Sequence, residues 1–295
     1  LVLWRQRTTM ERKIRTDLAV EQRELVRGSA AETTELPGVR AREDMRKGYK
    51  VTTVDVLDEE GSKALCKPVG RYTTIELDAL IQRAENAFVD AAELLAELLR
   101  EVLRPDMGAG TLVAGLGNDA ITPDALGPLA IESVMATRHL KSRMPEQFEA
   151  FRPVAAVRTG VLGSTGIESA EVLRAICESI SPSRVVAIDA LASGSLDRLC
   201  RTIQITDVGI VPGSGVGNNR AELCERTLGV PVVAIGVPTV VDAAVFSDEE
   251  SAKGMFVTPR DIDSSVRDTA KLIGYGINLA MHDGLTIGDV DMFLS

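Results

Sequence analysis

Residues 111–128, TLVAGLGNDAITPDALGP, decide the fold of this chain. The apolar run Thr111–Leu116 contains glycine near its end and is followed by polar, turn-forming residues, which is typical of a buried strand in a parallel sheet. Such a strand delivers the residues after it to the carboxyl edge of the sheet, where the ligands and chemistry of open α/β sheets collect. Asp119 and Asp124 lie in this turn, so both are candidates for a functional site.

Predicted strands and helices alternate after this stretch. The predicted core strands span residues 154–157, 184–191 and 230–236. The predicted helices span residues 124–140, 167–181, 219–228 and 259–282. This alternation favours an α/β fold, a three-layer sandwich with a mainly parallel sheet.

The residues before the first core strand are less regular. Residues 1–50 are charged and weakly periodic, which predicts an exposed extension. Alternating runs at 51–57 and 70–76 predict a small hairpin-like β excursion over about residues 50–77. Apolar residues at helical spacing predict one long helix from Asp78 to Leu103, and residues 201–206 alternate as a more exposed strand.

The composition argues against several classes of protein. The formal charge of -10 disfavours binding along a phosphate backbone, so no direct nucleic-acid partner is expected. No apolar run reaches the length of a membrane span, so no membrane partner is expected and the chain is predicted to be cytoplasmic. The four cysteines form no C-x-x-C pair, which favours reduced thiols over a zinc site.

A third acid, Asp189, ends the predicted strand 184–191 and would reach the same sheet edge as Asp119 and Asp124. Two carboxylates that share a water can divide the labour of hydrolysis, because the ionised one takes a proton from the water while the protonated one donates to the substrate. The alternative is that Asp124 is an acid at a helix N-terminus and Asp189 is a solvated residue at a strand end. The pattern alone leaves both interpretations open.

A nucleotide site is a rival interpretation. Residues 115–120, GLGNDA, match the loose G-x-G-x-x-A fingerprint after a strand. The fingerprint requires its helix to begin inside the motif, whereas Thr122 and Pro123 intervene here, and no acid lies near Arg138, where a ribose partner would be expected. These departures weigh against a dinucleotide-binding enzyme.

The glycine-rich loop at 213–217 offers a second candidate anion cradle. It lacks the Lys-Ser/Thr ending of a P-loop, so we interpret Gly213, Ser214 and Gly215 as a turn that lets the backbone approach the site. No serine lies in a G-x-S-x-G elbow, which argues against a serine triad. No metal and no cofactor are expected; His139 is the residue that would join Asp124 and Asp189 if a metal were bound.

At these residues the sequence resembles the germination protease family, the spore endopeptidases of spore-forming bacteria. The resemblance covers nearly the whole chain, from about residue 15 to residue 259. The matching stretches are GLGN (115–118), TPDALGP (122–128), TRHL (137–140), GSTGIES (163–169), AIDALA (187–192), TIQI (202–205), PGSGVGN (212–218) and VPVVAIGVPTVVDA (230–243).

The resemblance implies an atypical aspartic endopeptidase that degrades small acid-soluble spore proteins when germination begins. The two catalytic aspartates of the family fall on Asp124 and Asp189. Asp119 is then a neighbour that orders the turn. We expect Asn118 and the glycine loop at 213–217, with Gly213, Ser214 and Gly215, to shape the pocket. A fold similar to that of hydrogenase maturation proteases is also implied, and a metal-dependent protease of that type is the alternative function.

The resemblance further implies a homotetrameric zymogen in the forespore or spore core that removes its own N-terminal segment. TDLAVE (16–21) resembles the acid-then-hydrophobe sequence that these proteases cut. We therefore predict self-cleavage between Asp17 and Leu18, with residues 1–17 as the propeptide and 18–295 as a single peptidase domain.

Overall fold

The computed structural model describes residues 16–29, 36–103, 110–218, 220–246, 252 and 254–295. Within these ranges nine strands form one sheet. The strands are β1 (Val39–Arg46), β2 (Tyr49–Val56), β3 (Gly70–Glu76), β4 (Thr111–Leu116), β5 (Val154–Gly160), β6 (Arg184–Ser193), β7 (Thr202–Thr206), β8 (Val232–Asp242) and β9 (Phe256–Val257).

The α-helices cover both faces of this sheet and close the chain. They are α1 (Ala19–Ser29), α2 (Glu59–Leu65), α3 (Asp78–Ile81), α4 (Ala87–Leu103), α5 (Leu126–Glu132), α6 (Arg138–Arg143), α7 (Leu162–Thr165), α8 (Ser169–Ile180), α9 (Glu225–Leu228), α10 (Ile262–Met281) and α11 (Ile287–Leu294). Short 3₁₀ turns lie at Thr122–Asp124, Leu196–Arg198, Ser214–Val216 and Ala243–Val245. No helix in the described ranges is both long and apolar enough to cross a bilayer.

The centre of the sheet is parallel, as the strand pattern predicts. β4 pairs in parallel with β5 on one side and β6 on the other, and β6 pairs in parallel with β8. Beyond β8 the sheet continues through the antiparallel strands β7, β3, β2 and β1. The predicted hairpin is therefore confirmed as β2 and β3, and it extends the main sheet instead of standing apart from it.

Alternate residues of the parallel strands pack against two layers of helices. On β4, Val113 packs in the cluster that contains α4, α5 and α10, whereas Leu112 and Ala114 pack in the cluster that contains α8 and α9. Successive strand side chains point to opposite faces, and here both faces are buried. This arrangement confirms the three-layer α/β fold and explains why the strand sequences are continuously apolar.

The prediction that residues 1–50 form an exposed extension is wrong for the part that the structure describes. Leu18 and Ala19 are fully buried, and Glu21 is 4% exposed. β1 pairs with β2 along its length although most of its charged side chains stay exposed. The charged composition of this segment led to the wrong prediction, because a strand such as β1 can pair through its backbone without apolar side chains. Residues 1–15, the larger part of the predicted propeptide, lie outside the described residues.

Two predicted helices are broken. The segment 78–103 divides into α3 and α4, with Arg83 and Asn86 in the left-handed backbone region between them. The segment 124–140 divides into α5 and α6, and the Asn278 side chain satisfies the break by accepting from Met135 N and donating to the Ser133 carbonyl. Tertiary hydrogen bonds thus override a continuous helical pattern.

The predicted exposure of the strand at 201–206 is also wrong. β7 is buried along its whole length because it lies between β3 and β8 in the sheet. Its polar residues are thus buried as well, and two of them, Gln204 and Thr206, line a cavity.

Candidate active site

Asp124 ends a 3₁₀ turn that folds back on the end of β4. Asn118 N donates to Asp124 Oδ2 at 2.9 Å and to the Asp124 carbonyl at 3.1 Å. The turn closes at Gly117, where φ is +107° and a Cβ would lie 2.0 Å from the Asp124 carbonyl oxygen. Asp124 lies just before α5 but does not cap it, because the N-cap residue is Ala125 and α5 has no side-chain cap.

Asp189 lies on β6, the strand next to β4. Ile188 pairs with Gly115 of β4, so Asp189 is placed beside the end of that strand. The side chain is 4% exposed, and its Oδ1 accepts from Ala190 N at 3.0 Å. The alternative that Asp189 is a solvated strand-end residue is therefore wrong.

Asp124 and Asp189 line one cavity of about 590 Å³ at the carboxyl edge of the parallel strands. Asn118, Gly213 and Gly215 line the same cavity. The structure thus brings together two predicted acids and most of the predicted supporting loop. Ser214 lies next to this cavity and lines the adjoining one.

The environment raises the pKa of both carboxyl groups. For Asp189 the main cause is burial, followed by the negative charges of Asp124 and Asp17, and the Ala190 N–H opposes them. Burial also raises the pKa of Asp124, while the Asn118 N–H favours its ionised form. Like charges that share a buried cavity cannot both ionise easily, so the pair favours holding one proton between them.

Asp119 is exposed and does not line the cavity. Its neighbour Asn118 forms the turn instead, since Asn118 Oδ1 accepts from Ala120 N at 3.0 Å. Position in the same turn therefore does not give the two acids the same surroundings.

The predicted cut site lies directly beside this pair of acids. Asp17 lines the same cavity, and Leu18, immediately after it, is fully buried. Asp17 Oδ1 accepts from Ser214 Oγ at 2.8 Å, and Asp17 Oδ2 accepts from Ala192 N at 2.9 Å. At Gly215 a Cβ would lie 2.1 Å from Asp17 Oδ2. The absence of a side chain at Gly215 thus allows the Asp17 carboxylate to lie close to the backbone of the glycine loop.

Sequence reasoning missed three side chains at this site. Thr239 of β8 donates to the Pro123 carbonyl at 2.7 Å and so holds the turn that carries Asp124. Lys67 Nζ and Gln204 Nε2 donate to the Asp17 carbonyl at 2.8 and 3.2 Å. A polar residue in the apolar stretch TIQI was a signal for Gln204, whereas nothing in the sequence around Lys67 indicated its role.

His139 is exposed on α6 and does not line the cavity. In the described ranges, no three or more histidine, cysteine or acidic side chains are grouped as a metal site requires.

The turn at 115–120 uses a backbone amide for a hydrogen bond within the chain, which does not suit the binding of a nucleotide. Asn118 N, an amide of the kind that would meet a phosphate, donates to the Asp124 carboxylate instead. Two acids at the same edge would repel an anion. The geometry therefore agrees with the departures from the fingerprint noted in the sequence.

The fold and the site define a class of α/β proteins with two carboxyl groups, one buried and one half-buried, at the carboxyl edge of their parallel strands. A family model described as germination protease matches residues 16–252. A germination protease of Caldanaerobacter subterraneus subsp. tengcongensis is 42% identical, with 95% of this chain and 98% of that protein covered. A germination protease of Clostridium tetani is 41% identical, with 96% and 99% covered. This chain belongs to the germination protease family.

A solved structure, the [NiFe] hydrogenase maturation protease HycI of Thermococcus kodakarensis, is also similar. It is 21% identical, covers 61% of this chain and 98% of its own, and gives a TM-score of 0.37.

Proposed function

We propose that this chain is an aspartic-type endopeptidase whose catalytic pair is Asp124 and Asp189. One observation carries the proposal: the two carboxyl groups line a single cavity at the carboxyl edge of β4 and β6, where burial and the charge of Asp124 raise the pKa of Asp189. Such a pair meets the requirement for an acid and a base that act on one water.

The surroundings of the two carboxyl groups favour different protonation states. Asp189 is the more deeply buried, and two neighbouring acids raise its pKa, so it holds the shared proton and acts as the acid. Asp124 is the base, because the Asn118 N–H favours its ionised form. Asp124 takes a proton from the water as the water oxygen attacks the peptide carbonyl carbon, and Asp189 protonates the leaving nitrogen.

The substrates that we propose are small acid-soluble spore proteins, cut in the spore core during germination. The names of the relatives support a protease of germinating spores. We also propose that the chain is a homotetrameric zymogen that cuts itself between Asp17 and Leu18. The position of Asp17 in the same cavity as Asp189 supports the self-cleavage. Sedimentation velocity that gives a monomer at working concentration would contradict the tetramer.

The test is incubation of the purified chain with a small acid-soluble spore protein, read by the mass of the products. Asp124→Asn should reduce cleavage by several orders of magnitude, whereas the exposed Asp119→Asn should cleave normally. Normal cleavage by the Asp124→Asn or Asp189→Asn protein would rule out the assignment. A matured chain that begins elsewhere than Leu18 would rule out the cut site.

A further inference from the structure

The segment that contains the predicted cut site comes just before α1 and is hydrogen-bonded to β6. Asp17 N donates to the Ala192 carbonyl at 2.9 Å, and Ala192 N donates back to the Asp17 carboxylate. Ala192 is three residues beyond Asp189 on β6. Asp17 is therefore held beside the proposed catalytic pair of its own chain by one backbone bond to β6 and by its carboxylate.

The carbonyl oxygen of Asp17 has two side-chain donors. Lys67 Nζ lies 2.8 Å from it and Gln204 Nε2 lies 3.2 Å from it. The other end of the Gln204 amide accepts from Ala19 N at 2.8 Å, which turns Nε2 toward the carbonyl. Gln204 is 6% exposed in the middle of β7, so its position is set by the sheet.

The donors and the acids line two neighbouring cavities that meet at Asp17. Asp124 and Asp189 line the cavity of about 590 Å³, and Lys67 and Gln204 line a neighbouring cavity of about 910 Å³. Asp17, Leu191 and Gly215 line both cavities. Asp17 thus lies in contact with a pair that can bind its carbonyl oxygen and lines the cavity of a pair that can activate water.

We propose that Lys67 and Gln204 are the electrophilic donors of the peptidase reaction, which bind the carbonyl oxygen of the residue before the cut. This inference rests on the proposed function, since it assigns the oxygen of the same peptide that Asp124 and Asp189 would hydrolyse. In self-cleavage the oxygen belongs to Asp17. In cleavage of other proteins it belongs to the acidic residue that takes the place of Asp17.

The chemical step balances with these four side chains and one water. The water oxygen forms a bond to the Asp17 carbonyl carbon, the water proton passes to Asp124, and the π electrons of the carbonyl move to its oxygen. The negative charge on that oxygen is stabilised by the Lys67 ammonium and the Gln204 amide. The C–N bond to Leu18 then breaks, the leaving nitrogen takes the proton of Asp189, and the carbonyl re-forms as a carboxyl group.

The surroundings of Lys67 suit this role. Burial lowers its pKa, while the negative charges of Asp17 and Glu21 act in the opposite direction. An ammonium that has lost part of its water gains more from a negative charge that develops on a contacting oxygen than a solvated one would. Removal of one such donor typically slows an enzyme by about 10²–10³-fold.

The test measures self-cleavage of the full chain by intact mass. Lys67→Met is expected to slow the first-order rate by about 10²-fold. Lys63→Met is the matched control, because Lys63 lies on α2 four residues away, is exposed and contacts Glu59 at 4.0 Å, so its rate should be unchanged. Gln204→Glu keeps the acceptor for Ala19 N but loses the donor to the carbonyl, and it should also slow the reaction.

Hydrogen exchange at the amides of Asp17 and Ala19 separates catalysis from positioning. If Lys67 binds the reacting oxygen, Lys67→Met slows the cut while these amides stay as protected as in the parent chain. If Lys67→Met lowers both the protection of these amides and the rate of the cut, Lys67 is a positioning residue and the proposal is overturned. If Lys67→Met does not fold, Gln204→Glu decides by the same two measurements.

The outcomes also separate this inference from the proposed function. A parent chain that is cut, an inert Asp124→Asn chain and a Lys67→Met chain cut at the parent rate would overturn the carbonyl assignment alone. A parent chain that cuts neither itself nor a spore protein would overturn the proposed function and this inference with it.

Discussion

Thr239 Oγ1 donates to the Pro123 carbonyl at 2.7 Å and so joins β8 to the turn that carries Asp124. Thr239 is 1% exposed, and this bond runs from a strand to the 3₁₀ turn without involving either carboxylate. It holds the proposed base in position although the two residues lie far apart along the chain.

We expect Thr239→Val to slow peptide cleavage by about tenfold, because a small displacement of a catalytic group is costly. The unfolding free energy should fall by about 1 kcal/mol, since the Pro123 carbonyl loses a buried donor. Kinetics and urea unfolding measure the two effects. Thr202→Val is the control, because Thr202 is buried on β7 with a long 3.4 Å bond; equal loss of activity in both variants would contradict the role of Thr239.

Asp189→Asn should stabilise the protein, and the gain should grow as the pH rises. Folding raises the pKa of Asp189, so the parent chain is favoured below its unfolded pKa of about 3.8 and loses stability as the pH rises toward the folded pKa. The asparagine variant has no proton to lose, and its Oδ1 keeps the bond from Ala190 N. A tenfold difference in proton affinity between the folded and unfolded chains changes the unfolding free energy by about 1.4 kcal/mol.

Thermal melts of the Asp189→Asn and parent proteins between pH 4 and pH 8 measure this effect, as a difference in Tm that widens with pH. The exposed Asp197→Asn should give no such trend. A constant difference across the range would show that Asp189 titrates normally.

Gly215→Ala should slow self-cleavage by about tenfold or more, because a Cβ there would lie 2.1 Å from Asp17 Oδ2 and 2.5 Å from Ala192 Cβ. Mass spectrometry of the chain over time gives the rate. Gly288→Ala on α11 is the control, since its added Cβ meets Thr286 Oγ1 at an ordinary 3.7 Å. Normal processing of the Gly215→Ala chain would mean that Asp17 does not react in the position seen here.

Dialysis against EDTA should leave cleavage unchanged, because the proposed base and acid are carboxyl groups that act directly on water. Product formation before and after dialysis is the measurement, with a zinc protease treated in parallel to show that the chelator works. Loss of activity that a divalent metal restores would favour the metal-dependent alternative instead.

The position of the site was predictable from the sequence because it follows from strand order. Asp124 and Asp189 each come after an apolar run, and parallel strands bring their carboxyl ends to one edge. Periodicity could not separate Asp119 from Asp124, since both lie in one turn; the resemblance favoured Asp124, and the structure shows that Asp119 is the exposed one.

The partners of Asp17 could not be predicted, because they depend on contacts between distant parts of the chain. Lys67 follows a short helix and Gln204 lies on a strand of the antiparallel arm, so their meeting requires the order of the whole sheet. The burial of Leu18 and Glu21 could not be predicted from the composition of their segment either. A few buried residues in a charged segment do not change its average composition.

Glu21 is a buried anchor, since its carboxylate accepts from Ser193 Oγ at 2.6 Å and from Gly194 N at 2.7 Å, and it lies 3.6 Å from Arg198. A cut after Asp17 would therefore leave the new amino terminus fastened to the interior through Glu21. Because Asp17 lines the cavity of its own chain, the cut would take place within one chain and its rate would not depend on protein concentration. Departure of the upstream piece would make the cut irreversible and would leave the cavity that Asp17 lines open.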